Sequence, residues 1–215
     1  MDAPFPVYRR PERQADAVIH ALGVGLALVA CPLLLWTAWS SARPLLIVAL
    51  GVYAVGLVAM LGCSALYNLT PAGTRKARFR RLDHAAIFAM IAGTYTPFAL
   101  VTIGGSLGAG LLAFVWIVAC GGMAVELLGM RRSDALLTAA YLLLGWVVLV
   151  DLEPLTTGLS PLGFRLLVAG GLLYTVGVVF HHWPSLPYHN AIWHGFVLAA
   201  AACHYLAVLV DVALA

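Results

Sequence analysis

Seven apolar runs, most of them long enough to cross a bilayer, constrain this chain more than any other feature of its sequence. They lie at approximately 18–38, 44–67, 82–102, 108–129, 134–151, 163–181 and 190–212. Crossing a hydrocarbon layer of ~30 Å takes about 20 helical residues, so each run reads as one membrane helix. The expected fold class is an all-α membrane protein, a seven-transmembrane-helix bundle in a single domain covering 1–215. Composition agrees: with 63% hydrophobic and 10% charged residues and a mean hydropathy of +0.97, a water-soluble fold of 215 residues cannot hide its apolar surface. The fifth and sixth runs are the weakest. The fifth is short, and the link Asp151-Leu-Glu-Pro-Leu-Thr-Thr-Gly after it is apolar enough to sit in the interface.

Charge sets the orientation. Lys and Arg in short loops resist transfer across the membrane. With the N-terminus in the cytoplasm, the inner segments hold Arg9, Arg10, Arg13, Arg75, Lys76, Arg78, Arg80, Arg81, Arg131 and Arg132, ten of the twelve basic residues. Only Arg43 and Arg165 fall outside. The reading is a cytoplasmic N-terminus and, after seven spans, a C-terminus outside. A net charge of +3 is too small to argue for a nucleic-acid partner, and its arrangement points to membrane orientation instead. Met1 to Ala17 is polar and mixed in charge, and the run after it is long enough to span, so no cleavable leader is expected.

Cys31, Cys63, Cys120 and Cys203 all fall inside apolar runs without Cys-x-x-Cys spacing, and read as small packing residues rather than metal ligands. No internal repeat or linker divides the chain. Glycine pairs inside spans, Gly121-Gly122 and Gly170-Gly171, suit close approach of helix backbones in lipid.

The polar residues that should be rare inside spans crowd toward the cytoplasmic ends. His20 opens the first run, Ser64 and Asn68 close the second, and Asp83 and His84 open the third. Glu126 comes near the end of the fourth, Asp134 opens the fifth, and Asn190 and His194 open the last. Asn190 and His194 are four residues apart, one turn above each other on one helix face. An ionisable group below the interface costs about 2.5–3.5 kcal/mol on insertion scales, so such groups usually face the bundle interior and mark a functional path. The alternative is that helix-end polar groups sit among headgroups and cap helices. Ser64 and His194, each at least a turn inside its run, favour a buried site. The expectation is one polar cavity that brings Asn68, Asp83 and His194 together. His204 reads as a packing residue, and His181, His182, Trp183 and Tyr188 as an interfacial group.

Four stretches carry a family resemblance: Glu12-Arg-Gln-Ala-Asp16-Ala-Val-Ile-His20, Ser64-Ala-Leu-Tyr-Asn68, Asp83-His-Ala-Ala-Ile-Phe followed by Ala-Gly-Thr-Tyr-Thr-Pro97-Phe, and Pro-Tyr-His-Asn190-Ala-Ile-Trp-His194-Gly-Phe-Val-Leu. They resemble the bacterial hemolysin III proteins of the progestin and adipoQ receptor family, which includes the adiponectin receptors. The likeness covers nearly the whole chain. It implies seven helices in the bacterial inner membrane, a cytoplasmic N-terminus, a zinc site near the cytoplasmic face, and kinship with intramembrane lipid hydrolases such as the alkaline ceramidases.

In that family the second helix carries Ser-x-x-x-His and the seventh His-x-x-x-His, and the three imidazoles hold the metal. By position, the ligands here are Asn68, Asn190 and His194, with Asp83 as partner of the metal-bound water and Ser64 beside it. Two of the three ligand positions are thus asparagine. A catalytic zinc takes about three nitrogen, sulfur or carboxylate ligands, whereas a neutral amide offers a carbonyl oxygen better suited to calcium or magnesium. Poor zinc binding and low or absent activity are expected, with metal and activity weakened or lost. His189 lies five residues from His194, about 140° around a regular helix, and with His20 it is an additional candidate for the site.

Three functions follow. The first is a metal-dependent hydrolase of a lipid amide or ester, with Asp83 as general base and Ser64 orienting or stabilising the oxyanion. The second is a lipid-binding sensor or receptor without catalysis, its helices tied by hydrogen bonds among Asn68, Asn190, Asp83 and His194. The third is membrane lysis or pore formation, which the apolar outer halves of the runs disfavour.

Overall fold

The computed structural model describes residues 5–6, 8–130, 133–150 and 153–215. Arg131, Arg132 and Asp151, used above in placing loops, lie outside the described residues. Among the described residues eight α-helices follow in order: α1 (Arg10–Ser40), α2 (Pro44–Leu69), α3 (Thr74–Pro97), α4 (Gly105–Leu127), α5 (Asp134–Gly145), α6 (Glu153–Gly158), α7 (Pro161–His181) and α8 (His189–Val208). Short π-helical stretches extend α3 over Phe98–Ile103 and α8 over Leu209–Ala213. The described residues contain no strand.

Among the described residues six helices are long and apolar enough to cross a membrane: Arg10–Ser40, Pro44–Leu69, Thr74–Ile103, Gly105–Leu127, Pro161–His181 and His189–Ala213. Their outward faces stay apolar, with Trp36, Trp39 and Ile117 each exposed by 70% or more. On a water-soluble protein so much exposed apolar surface would mark an aggregation site; on this one it is the lipid-facing surface.

The fifth run departs from expectation. Instead of one helix over 134–151, α5 stops at Gly145 and a 3₁₀ turn occupies Val147–Val150. Side-chain chemistry from α3 allows the break: the Tyr95 hydroxyl donates to the Gly145 carbonyl at 2.8 Å and accepts from the Val148 N–H at 3.2 Å. Two backbone groups at the interrupted helix end are thereby satisfied without water.

Helix starts also differ from the apolar boundaries. α1 begins at Arg10, where Glu12 accepts the Arg9 N–H at 2.7 Å. Asp16 and His20 are therefore internal residues on one helix face rather than a preface to it. α3 begins at Thr74, so Asp83 and His84 lie more than two turns inside their helix instead of opening it. Lys76, one turn into α3, donates to the Tyr67 and Thr70 carbonyls at the end of α2, which ties the turn between the two helices.

The Ala-Gly-Thr-Tyr-Thr-Pro segment proves to be scaffold. Gly93 packs against the α2 backbone, where an added Cβ would meet the Val52 oxygen at 3.4 Å. Thr96 donates to the Ala92 carbonyl at 2.7 Å and accepts from the Trp116 indole at 3.1 Å. Pro97 ends the regular α-helix, because it has no N–H to offer.

The two ends of the bundle are defined by contacts. At one end the α1 start meets the α8 start, Glu12 accepting the Tyr188 N–H at 3.1 Å, and Glu126 of α4 meets His84 of α3 at 3.1 Å. At this same end His182, following α7, bonds Thr138 of α5 at 3.1 Å. At the opposite end Asp211 caps α7 by accepting the Ser160 N–H at 3.1 Å. Between them lies a core built on Leu34, Leu46, Leu50, Tyr53 and Val208, each buried.

Candidate functional site

The polar groups converge at the end where α1 and α8 begin. Asp16, His20, Asp83 and His194 are exposed by only 7, 4, 8 and 8%. Asp16 is the centre. Its Oδ1 lies 2.6 Å from His194 Nδ1, and its Oδ2 lies 3.5 Å from His20 Nε2. The Asn190 amide donates to Oδ2 at 3.1 Å. The two imidazoles themselves touch, with ring centroids 4.4 Å apart.

The asparagines form the next layer. Asn190 Nδ2 also reaches Asn68 Oδ1 at 3.3 Å, while Asn68 Nδ2 donates to the Ser64 carbonyl at 3.0 Å and to its hydroxyl at 3.4 Å. Thus α2 is joined to α8 through paired amides, and α8 to α1 through a carboxylate. Asn68 does not touch His194 directly; it reaches His194 by way of Asn190 and Asp16. Asp83 on α3 faces Ser64 and lies within electrostatic reach of His84, His194 and His20.

Every site residue named from the sequence lines one cavity of about 560 Å³. Its polar wall is Ser64, Asn68, Asp83, His20, Asn190 and His194, and His189 stands at its edge. From there it continues between α3, α5, α7 and α8 past Tyr95, Trp146, Leu155 and Phe164. His189 stays outside the cluster: it is the first residue of α8, its ring packs on Tyr8 at 5.6 Å, and among the described residues its Nδ1 has no hydrogen-bond partner. Tyr188 just before it adopts φ +61°, a left-handed conformation unfavourable for a bulky side chain, held by the bond from its N–H to Glu12. Tyr8, outside the helices, has a phenol pushed up to about 12 by burial.

His204 sits deep in the bundle, where its Nε2 meets the Leu167 carbonyl at 3.3 Å and its ring lies against Gly170; a side chain on Gly170 would collide with it. The four cysteines are free. Among the described residues Asp16, His20 and His194 are a group whose donor atoms lie within 4.8 Å of one another. Asp16 is the site residue that the apolar runs do not bring in. Its signal lies in the sequence, as Asp16 and His20 four apart in the Glu12–His20 stretch, but hydropathy leaves the polar start of α1 outside the first run.

The bundle and its site define a multi-pass membrane protein with a buried polar centre at one end of an apolar cavity. A family model, Haemolysin-III related, matches residues 10–205, and the chain belongs to that family. It is similar to Hemolysin-3 of Bacillus cereus, 39% identical over 198 residues that cover 92% of this chain and 90% of that one. The Hemolysin-3 homolog of Bacillus subtilis (strain 168) is 38% identical over 199 residues, covering 92% and 93%. A more distant relative is the human Monocyte to macrophage differentiation factor, 29% identical over 216 residues, covering 92% and 83%. No solved structure matches the chain.

Proposed function

We propose that this protein crosses the membrane seven times, with its N-terminus and polar site on the cytoplasmic side, and cleaves an amide or ester bond in a lipid whose acyl chain occupies the cavity. The seventh crossing is made in pieces: α5, the 3₁₀ turn and α6 together lead from the polar end toward the Ser160–Asp211 end. Arg9, Arg10, Arg13 and the basic start of α3 lie at the polar end, and positive charge is retained in the cytoplasm. The observation that carries the functional reading is continuity. His20, Asp83 and His194, the last held by Asp16 behind it, form the polar wall of the same space that Trp146, Leu155 and Phe164 line with apolar surface, as a lipid carbonyl attached to an acyl chain requires.

Three roles fall to the chain's own residues. Asp16, bonded to His194 Nδ1, fixes the imidazole in the cavity wall. His194 and Asp83 are then the groups able to take and return a proton at the scissile bond. The Ser64 hydroxyl, beside Asp83, is placed to donate to an oxyanion.

The zinc ligand set implied by the resemblance, Asn68, Asn190 and His194, does not fit a zinc ion. The Asn190 amide nitrogen, which has no lone pair to give, points at Asp16 and Asn68, and Asn68 Oδ1 accepts that bond. No step is assigned to a metal at those positions. The test is hydrolysis of amide- and ester-linked acyl lipids by reconstituted protein, beside Asp83→Ala and His194→Ala. Fatty-acid release that both variants abolish is expected; equal release from all three would remove the reading.

The same amide pair favours a second reading, a lipid sensor. Asn68 and Asn190 bridge α2 to α8 without any ion, so a lipid displacing that bridge would loosen the two helices without chemistry. Lipid binding without release of fatty acid would select it. The Bacillus relatives' names concern haemolysis, and a lytic role would require a polar path through the bundle; the apolar cavity wall from Leu155 to Phe164 does not support one.

A further inference from the structure

We propose that Asp16, His20 and His194 form a zinc-class metal site, shifted from the α2–α8 positions to α1 and α8. This deepens the functional reading by naming a metal for the same site, and rests on that reading only for what the metal would serve; with His194 as a ligand, the proton-transfer role falls to Asp83 alone.

The donor set is one carboxylate and two imidazoles, from residues 16 and 20 on one helix face and residue 194 on the helix beside it. Such a set leaves a fourth position open, as catalytic zinc sites do. The donor atoms lie within 4.8 Å of one another, while an ion with bonds of about 2.1 Å holds tetrahedral donors ~3.4 Å apart, so small side-chain rotations close the site. His20 Nε2 is the second sign. It is buried and lies 3.5 Å from Asp16 Oδ2, yet among the described residues it makes no hydrogen bond, although buried ring nitrogens nearly always find one.

Charge points the same way. Asp16 is buried with only the His20 and His194 imidazoles as ion partners, and among the described residues no lysine or arginine pairs with it. A buried carboxylate without a fixed cation beside it is costly. A divalent cation held by Asp16 and the two imidazoles would supply that charge. Asn190 then acquires a positioning role: its bond to Oδ2 orients the carboxylate toward the ion, as outer hydrogen bonds commonly do at metal sites. Asn68 in turn holds Asn190. The two asparagines at the implied ligand positions would become supports of a neighbouring site.

The experiment is zinc titration of purified, chelator-stripped protein in detergent, read by elemental analysis after dialysis, with cobalt(II) absorption as the reporter of tetrahedral geometry. The parent is expected to take up about one equivalent and to give an intense tetrahedral cobalt spectrum. Asp16→Asn, His20→Ala and His194→Ala should each weaken binding at least tenfold, Asn190→Ala more mildly, and Asn68→Ala least. Size-exclusion profile and helical circular dichroism check folding, and Asp16→Glu, which keeps the carboxylate, should retain measurable uptake where Asp16→Asn does not. No zinc at saturation in the parent, or equal uptake by Asp16→Asn, would overturn the proposal. So would uptake only in the double variant Asn68→His/Asn190→His, which would place the metal on α2 and α8. Lipid binding measured on the stripped protein is a separate readout, so loss of the metal site and failure of the lipid reading remain distinguishable.

Discussion

The Nδ1 atom of His194 lies 2.6 Å from Oδ1 of Asp16, across 178 residues of sequence. This contact joins the first membrane helix to the last and makes Asp16 the shared partner of His194, His20 and Asn190. A buried charge-assisted hydrogen bond of this length is among the stronger single polar contacts a protein can make. Its loss should be felt in stability as well as function.

Removing the two partners should have unequal effects. His194→Ala leaves the Asp16 carboxylate buried with its strongest contact gone, and should cost about 3–5 kcal/mol. Asp16→Ala leaves His194, His20 and Asn190 short of hydrogen bonds, about 1–3 kcal/mol. Thermal unfolding in metal-free detergent solution reads both, and a larger loss for Asp16→Ala than for His194→Ala would contradict this ranking.

Helix packing gives a prediction independent of the site. At Gly56 an added Cβ would sit 3.3 Å from the Ala89 oxygen of α3, so Gly56→Val should overpack the α2–α3 contact and destabilise by about 1–3 kcal/mol. Gly62, where an added Cβ meets nothing within 4 Å, is the control. Substituting valine there should shift the melting temperature far less.

A lipid that fills the cavity binds only the folded protein and must raise its stability. At a hundredfold excess over Kd the gain is about 2.7 kcal/mol. Leu142 lines the cavity, and Leu142→Trp should occupy the acyl path and abolish the thermal shift while leaving the lipid-free protein folded. An undiminished shift in that variant would move the lipid elsewhere on the molecule.

Reconstituted protein should not release a trapped dye from vesicles beyond the level of empty controls. Sustained leakage that scales with protein would show a path through the bundle, and the catalytic and sensing readings would both need revision.

Tyr95 offers a check on the interrupted crossing. Tyr95→Phe removes both bonds that hold the break between α5 and Val148, at a cost of about 1–3 kcal/mol for the groups left unsatisfied. Hydrogen exchange around Gly145–Val148 should quicken in that variant and remain unchanged around Asn190.

How far the sequence could be read depended on the kind of signal. Apolar runs located the long helices, because lipid demands uniform hydrophobicity over a fixed length. The same averaging misplaced the starts of α1 and α3: a helix continues through polar residues as long as its hydrogen bonds do, and hydropathy cannot see that. The break after Gly145 was hidden for a related reason, since it depends on the hydroxyl of Tyr95, fifty residues away.

The sequence by itself determined that this chain is helical, embedded in lipid, and polar at one end of its bundle, since each of these follows from composition and local spacing. It also supplied the residues at 64, 68, 83, 190 and 194. Only the tertiary structure decided which of them meet and around what centre. Asp16 could not be chosen over Asp83 until α1 was packed against α8, because a carboxylate acquires its role from what surrounds it once the chain is folded.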